Sequence, residues 1–527
     1  MFHPSRAFIF TVTLLGLTAC GSGSDSPADF TAPVISLNGD SHIRVAQGNR
    51  YIEPGATAVD DTDGNISVII SGQIDTSIRG EYTLTYQATD AAGNSASVSR
   101  TILVDAFKPF ITTWKTNGYG ASDTNQVRIG TAEGDYDYSI EWGDGSSDTH
   151  VNGDITHTYA STGVYSVSIS GTFAQLYFVT GLVPNAEGVY VPGSDYGKLQ
   201  TVEQWGDVQW QSMEYAFAGV YNLTINATDV PDLTSVKSIS HVFDNAQFFT
   251  GDLSHWDVSN VTDMSWAFCK TYDFTSDLSL WDVSNVTDMS AMFTEAFSFN
   301  SDLSNWDVSN VTLMSGLFSS AIEFTSDLSQ WDVSNVTEMN AMFSSTSQFE
   351  SDLSEWDVSN VTMMEMMFGG ASSFNADLSR WNVANVTSMR LMFANARIFN
   401  SDISQWDVSN VTNTQDMFSN AKEFSGDLSS WDVSQVTNMR DMFSQATHFN
   451  GNISNWDVSN VTDMENMFNG VTIPTDTYDA ILNTWSGLVL QPDVIFDAGD
   501  SHYSSNGRAA RQSIITHFSW TIEDEGI

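Results

Sequence analysis

The chain has 527 residues, 65 of them acidic and 18 basic, giving a formal net charge of −47, and 41% of it is hydrophobic. The charge excludes attraction to nucleic acid or anionic lipid headgroups, because those need Lys and Arg to neutralise phosphate. The apolar content excludes global disorder, and two cysteines exclude a disulfide scaffold or a four-cysteine zinc site.

In chain order, Arg6 precedes an apolar run from Ala7 to Leu17, too short to cross the ~30 Å hydrocarbon core as a helix. The run ends in Leu17-Thr18-Ala19-Cys20, which resembles a bacterial lipobox. The resemblance implies a signal peptide over 1–19, cleavage that leaves Cys20 acylated, and a lipid anchor in the membrane. Gly21 rather than Asp in the next position implies the outer membrane, with cell-surface exposure. Residues 20–31, rich in Gly and Ser, read as a flexible tether.

Residues 32–106 alternate with period two between turn residues, as the strands of a sandwich do. Ala32-Pro33, Glu53-Pro54-Gly55-Ala56, Asp60-Asp61-Thr62-Asp63-Gly64, Gly80-Glu81-Tyr82-Thr83 and Ala88-Thr89-Asp90 with Gly93-Asn94 resemble a bacterial immunoglobulin-like domain of surface proteins. Asp60, Asp61, Asp63 and Asp90 offer hard oxygen ligands to calcium, though no EF-hand loop is completed and Asp-Gly or Asn turns have the same composition. Calcium is the only cofactor the chain points to.

Residues 107–180 carry Trp142-Gly143-Asp144-Gly145, His157-Thr158-Tyr159 and Gly163-Val164-Tyr165-Ser166-Val167, which resemble a PKD-type sandwich. No nucleophile stands at a catalytic spacing from His157, so it reads as structural. Both β modules read as spacers.

A 25-residue period then dominates. Nine units over 251–475 follow Ser-Asp-Leu-Ser-x-Trp-Asp-Val-Ser-Asn-Val-Thr-x-Met-x-x-Met-Phe-x-x-Ala-x-x-Phe-Asn, with Trp at 256, 281, 306, 331, 356, 381, 406, 431 and 456. Leu-x-x-Trp-x-Val has the form of a leucine-rich repeat strand, and the three- and four-residue spacing of Met, Met-Phe and Ala predicts a short helix or irregular arc, N-capped by Thr. Stacked coils bury a core that one coil cannot. Degenerate units and a cap occupy 181–250, and a second cap occupies 476–527. The fold class is therefore multi-domain and mainly β: two sandwich modules followed by a leucine-rich-repeat-like solenoid. Trp-Asp-Val-Ser-Asn-Val-Thr with its Met-Phe, Gln204-Trp205-Gly206-Asp207 and Ala509-Ala510-Arg511-Gln512 resemble BspA-type leucine-rich repeat surface proteins, which implies a binding or adhesive role.

The nine tryptophans read as core, and the Asn of Ser-Asn-Val as a bond to adjacent coils. Two Asp columns, one before Leu and one after Trp, need relief of like-charge repulsion from turn bonds or cations. The column before Trp varies freely: His255, Leu280, Asn305, Gln330, Glu355, Arg380, Gln405, Ser430 and Asn455. It is the candidate ligand-binding stripe, against the alternative of drift at exposed positions. No His-Glu-x-x-His, Gly-x-Ser-x-Gly or P-loop occurs, so no catalytic residue is assigned and the chain reads as non-enzymatic. The expected partners are the membrane, through the lipid anchor, and a surface protein or glycan. A polysaccharide-active accessory protein and a structural envelope scaffold are the alternatives.

Overall fold

In the computed structural model the strands are concentrated in the first two fifths of the chain, with three short ones beyond it. The model describes residues 29–178, 182–184 and 190–527; the segment expected to be a signal peptide and Cys20 lie outside the described residues. The chain divides into two units, Met1–Ala106 and Phe107–Ile527.

The first unit holds β1 (Val34–Leu37), β2 (His42–Ala46), β3 (Ala56–Asp60), β4 (Gly64–Ile66), β5 (Ile69–Ser71), β6 (Gly80–Thr89) and β7 (Ser95–Asp105). A three-stranded sheet runs β1-β3-β4 and a four-stranded one β2-β7-β6-β5. The period-two alternation of β6 and β7 turns Leu84, Tyr86 and Ile102 inward, where they meet Val45. The Glu53-Pro54-Gly55-Ala56 motif has a structural reason. Arg100 is fully buried and pairs with the Glu53 carboxylate, while its Nε donates to the Asp40 carbonyl at 2.9 Å. Burial pushes the Glu53 carboxyl up, but hydrogen bonds from Tyr51, Tyr86 and Gly55 and the Arg100 charge prevail, so its net shift is downward.

The second unit opens with β8 (Phe110–Tyr119), β9 (Gln126–Ile129), β10 (Tyr136–Glu141), β11 (Ser147–Val151), β12 (Ile155–Thr158), β13 (Val164–Phe173), β14 (Leu182–Pro184), β15 (Tyr190–Pro192), β16 (Gly197–Gln204) and β17 (Thr224–Ile225). Six of these form one sheet in the order β11-β10-β13-β8-β16-β17. β16 lies antiparallel to β8 and parallel to β17, and Thr224 of β17 bridges to Thr250, so the sheet hands over to the coils. One buried core runs from Phe110 through the coils to Ile522. The segment 107–180 is thus joined to the repeats rather than spaced from them. Gln204-Trp205-Gly206-Asp207 makes the joint. Gly206 has φ 68°, and a Cβ there would meet the Lys108 and Pro109 carbonyl oxygens at 2.3 and 2.4 Å. Buried Trp205 stacks on Phe110, and the Asp207 carboxylate accepts the Lys108 N–H at 2.6 Å.

The coils correct the expected strand and helix. Leu-x-x-Trp-x-Val is not a strand, and Met-x-x-Met-Phe is not a helix. In the coil from Ser276 to Asn300, Trp281 N–H donates to the Leu278 carbonyl, Val286 to Val283, Met292 to Met289, Ala296 to Phe293, and Phe299 to Ala296. These apolar residues therefore open or close tight turns, so the three-residue spacing is that of turns. Alternate N–H groups leave the coil: Met289, Ala291, Phe293 and Glu295 donate to the carbonyls of Leu313, Ser315, Leu317 and Ser319 in the next. A helix would have spent those donors internally. The parallel bridges between coils fall after the Thr, from Ser238↔Asp263 in steps of 25 to Asn438↔Asp463. The Thr is not an N-cap, because its hydroxyl donates to the Thr carbonyl one coil back, as from Thr287 to Thr262 at 3.1 Å. Two residues per coil take positive φ, such as Ala291 (55°) and Glu295 (57°).

The last coil is covered by α1 (Thr475–Trp485), β18 (Ile495–Asp497), α2 (Arg508–Phe518) and β19 (Thr521–Glu523). Met464 bridges to Phe496 of β18, and Ile473 N–H donates to Ser501 Oγ at 2.9 Å, so the final backbone edge is paired. Among the described residues, no helix is long and apolar enough to cross a membrane.

Candidate binding surface of the coil stack

Because each coil is a chain of turns, side chains rather than strand ladders fix much of its register. The Leu278 N–H donates to Ser301 Oγ of the next coil at 2.9 Å, and its carbonyl accepts the Trp306 indole N–H at 3.0 Å. The indole bond recurs from Trp281 to Trp456, always to the Leu or Ile 28 residues earlier. All nine tryptophans are 1–4% exposed, which places them in the core as expected. Asn285, Asn310, Asn335, Asn360, Asn385, Asn410 and Asn460 each donate to a carbonyl of the preceding coil. Two phenylalanine ladders run beside them: Phe243 through Phe468 at centroid separations of 5.4–5.8 Å, and Phe249 through Phe449 at 5.7–6.4 Å.

On this frame the candidate stripe occupies the third position of each Leu-Ser-x-Trp turn, not a strand face. His255, Leu280, Asn305, Gln330, Glu355, Arg380, Gln405, Ser430 and Asn455 are all exposed, Leu280 to 79%. Arg380 pairs with Glu355 one coil away at 2.6 Å.

Both Asp columns make turn bonds. Asp302 Oδ1 accepts the Ser304 N–H at 3.0 Å, and Asp307 Oδ1 accepts the Ser309 N–H at 3.1 Å and its hydroxyl at 2.6 Å. The Ser309 hydroxyl and then its N–H hold the Asp307 carboxyl below the usual range, and Ser304 does the same for Asp302. Asn382 and Asn452 stand in these columns and make the same bond, to Ala384 and Ser454, so the turn does not require the charge.

The column before Leu lines a groove that continues from coil to coil. Its depressions share walls: Thr325 and Asp327 belong to two of them, as do Glu350 with Asp352 and Asn375 with Asp377. Asn300, Asn375 and Asn400 reinforce it, each accepting a backbone N–H from the next coil through Oδ1. Sequence reasoning passed over this second polar column, whose signal was a position restricted to Asn, Thr, Ser and Glu. It also passed over Tyr215, His241 and Trp266, which stack at 4.3 and 5.5 Å on the first coils.

His157 is structural in its contacts: it stacks on Trp142 at 4.7 Å and pairs with Asp144 at 3.0 Å, while the Ser146 hydroxyl donates to Asp144. Cys269 is buried, and burial pushes its thiol up to about 12. In the first unit, Asp60 and Asp63 come together with Asp29. Asp61 accepts the Thr31 hydroxyl at 2.6 Å, and both oxygens of Asp90 are taken by Asn94.

Comparison with known proteins agrees with this division. Residues 35–104 match the family described as bacterial surface protein, Ig-like domain. No curated protein matches the chain. Among solved structures it is similar to a lipoprotein from Bacteroides thetaiotaomicron (20% identity, 31% of this chain, 79% of that one, TM-score 0.14). It is also similar to CBM51-2 in complex with GlcNAc and INT domains from Clostridium perfringens ZmpB (15%, 33% and 49%, TM-score 0.13). A third is the M60 catalytic domain with two CBM51 domains of the same protein (12%, 32% and 23%, TM-score 0.12). The repeats match one family model three times, at 211–328, 298–403 and 376–485, rather than a BspA-type or leucine-rich repeat model. Those matches together cover just over half of the chain, which therefore belongs to the family described as Mycoplasma protein of unknown function, DUF285.

Proposed function

We propose that this chain is a lipid-anchored bacterial surface protein that acts without catalysis, its coils offering a binding face to a protein or glycan in the manner of BspA-type repeats. One observation carries the reading. The stripe from His255 to Asn455 is exposed in every coil, while the Trp that follows it and the Leu or Ile three residues before that Trp are buried in every coil. A frame fixed by its core, with exposed columns free to vary, is how stacked repeats present a recognition surface. The surface-protein Ig-like match supports a cell-surface location. The Leu17-Thr18-Ala19-Cys20 run supports an outer-membrane anchor of two or three acyl chains.

The groove beside the stripe offers carboxylates, amides and hydroxyls, which suit sugar hydroxyls or the Lys and Arg of a protein. The net charge of −47 argues against anionic glycans. Equivalent weak contacts on successive coils add through effective concentration. The test is binding of the full chain to an array of glycans and matrix proteins, against a Glu355→Ala/Arg380→Ala variant. A specific hit weakened at least tenfold by the variant is the expected result. No hit would favour a structural envelope component, and turnover of a glycan would overturn the non-enzymatic reading.

A further inference from the structure

The Ig-like unit contains three carboxylates from two distant parts of the chain. Asp29 precedes β1, Asp60 ends β3, and Asp63 lies in the turn leading to β4. One oxygen from each falls within 4.8 Å of the others. Asp60 is 4% exposed, and its two oxygens are used differently. Its Oδ1 accepts the N–H groups of Thr62 and Asp63 at 2.9 and 3.0 Å, whereas its Oδ2 is buried and accepts no hydrogen bond. Asp29 repeats the pattern: Oδ1 accepts the Thr31 N–H at 2.9 Å, and Oδ2 is buried with no hydrogen bond.

A buried carboxylate oxygen without a donor has lost water and gained nothing, and such groups are rare unless an ion satisfies them. Two of them in one cluster of like charges need a cation, and an all-oxygen set of carboxylates suits a hard divalent one. We propose that Asp29, Asp60 and Asp63 bind a calcium ion, which ties the segment before β1 to the β3–β4 turn. The assignment is independent of what the coils bind. It takes Asp29, 31 residues upstream of Asp60, as a ligand and excludes Asp90, whose oxygens Asn94 already occupies.

The experiment is calorimetric titration of the chelator-treated full chain with Ca²⁺, repeated with Mg²⁺ as competitor. Wild type is compared with Asp29→Asn, Asp60→Asn and Asp90→Asn. Asparagine keeps an Oδ1 acceptor, so the turn bonds of Asp60 survive its substitution. The expected result is one site tighter for Ca²⁺ than for Mg²⁺, weakened at least tenfold by Asp29→Asn and by Asp60→Asn, and unchanged in Asp90→Asn. The proposal is overturned by weak binding alike in all four proteins, which the coil carboxylates would give, or by no binding. Loss in Asp60→Asn without loss in Asp29→Asn would also overturn it.

Discussion

Asp307 separates the two things an aspartate does in these coils. Its oxygen closes a turn and its charge faces water, and Asn382 and Asn452 show that the turn accepts a neutral oxygen equally well. Asp307→Asn should therefore leave stability within about 0.5 kcal/mol of wild type, while Asp307→Ala should lose about 1 kcal/mol with its hydrogen bonds. Urea denaturation of the two variants checks this, and equal losses would refute it. At this scale the sequence was partly legible. The burial of the tryptophans and the bonds of the Asn column follow from residue type and period. The partnership of Asp29 with Asp60 does not, because a contact across 31 residues leaves no local pattern. Asp90 stands beside the cluster in the sequence pattern, and only the structure shows both its oxygens bonded to Asn94.

Within the coil, the spacing apolar-x-x-apolar fits a helix and a string of i→i+3 turns alike, and hydrophobic period alone does not separate them. A second signal does. The two positive-φ columns hold Gly219, Gly316, Gly370 and Gly470, with Asn245, Asn395, Asn420 and Asn466, and no Val, Ile or Thr. Gly and Asn tolerate the left-handed region and β-branched residues do not, so these columns mark turns that a helix lacks. The indole bond sets the register between coils. In Trp356→Phe the ring survives but the donor to the Leu328 carbonyl is lost, and stability should fall by about 2 kcal/mol. The loss appears as a lower urea midpoint with native circular dichroism, and an unchanged midpoint would show the indole N–H to be dispensable.

Over the whole molecule, two electrostatic effects act in opposite directions as pH falls from neutral. Relief of the −47 charge favours the folded state at first. The turn carboxyls then oppose it. Asp252, Asp302, Asp307, Asp357 and Asp407 are held below their ordinary values first by the hydroxyl of the serine two residues on, then by its N–H. For Asp277, Asp327, Asp377 and Asp427 the serine N–H comes first and its hydroxyl second. In all of them the folded pKa lies below the unfolded one. Their stabilising contribution is full above about pH 4 and is lost as pH drops through the depressed folded values. Urea midpoints should therefore fall steeply below about pH 4, and less steeply in an Asp302→Asn/Asp307→Asn variant. At pH 7, raising ionic strength shrinks the screening length from ~30 Å at 0.01 M to ~3 Å at 1 M and should raise the midpoint. The bonds between coils also bear on how such a chain changes over generations. The backbone and indole bonds between coils link residues 24 to 28 positions apart, so excising or copying one 25-residue unit restores each of them with a new partner of the same kind. The number of coils is then a quantity that recombination between near-identical units can adjust without redesigning an interface. The two ends, built once and matched to a coil of any number, set no limit on the count.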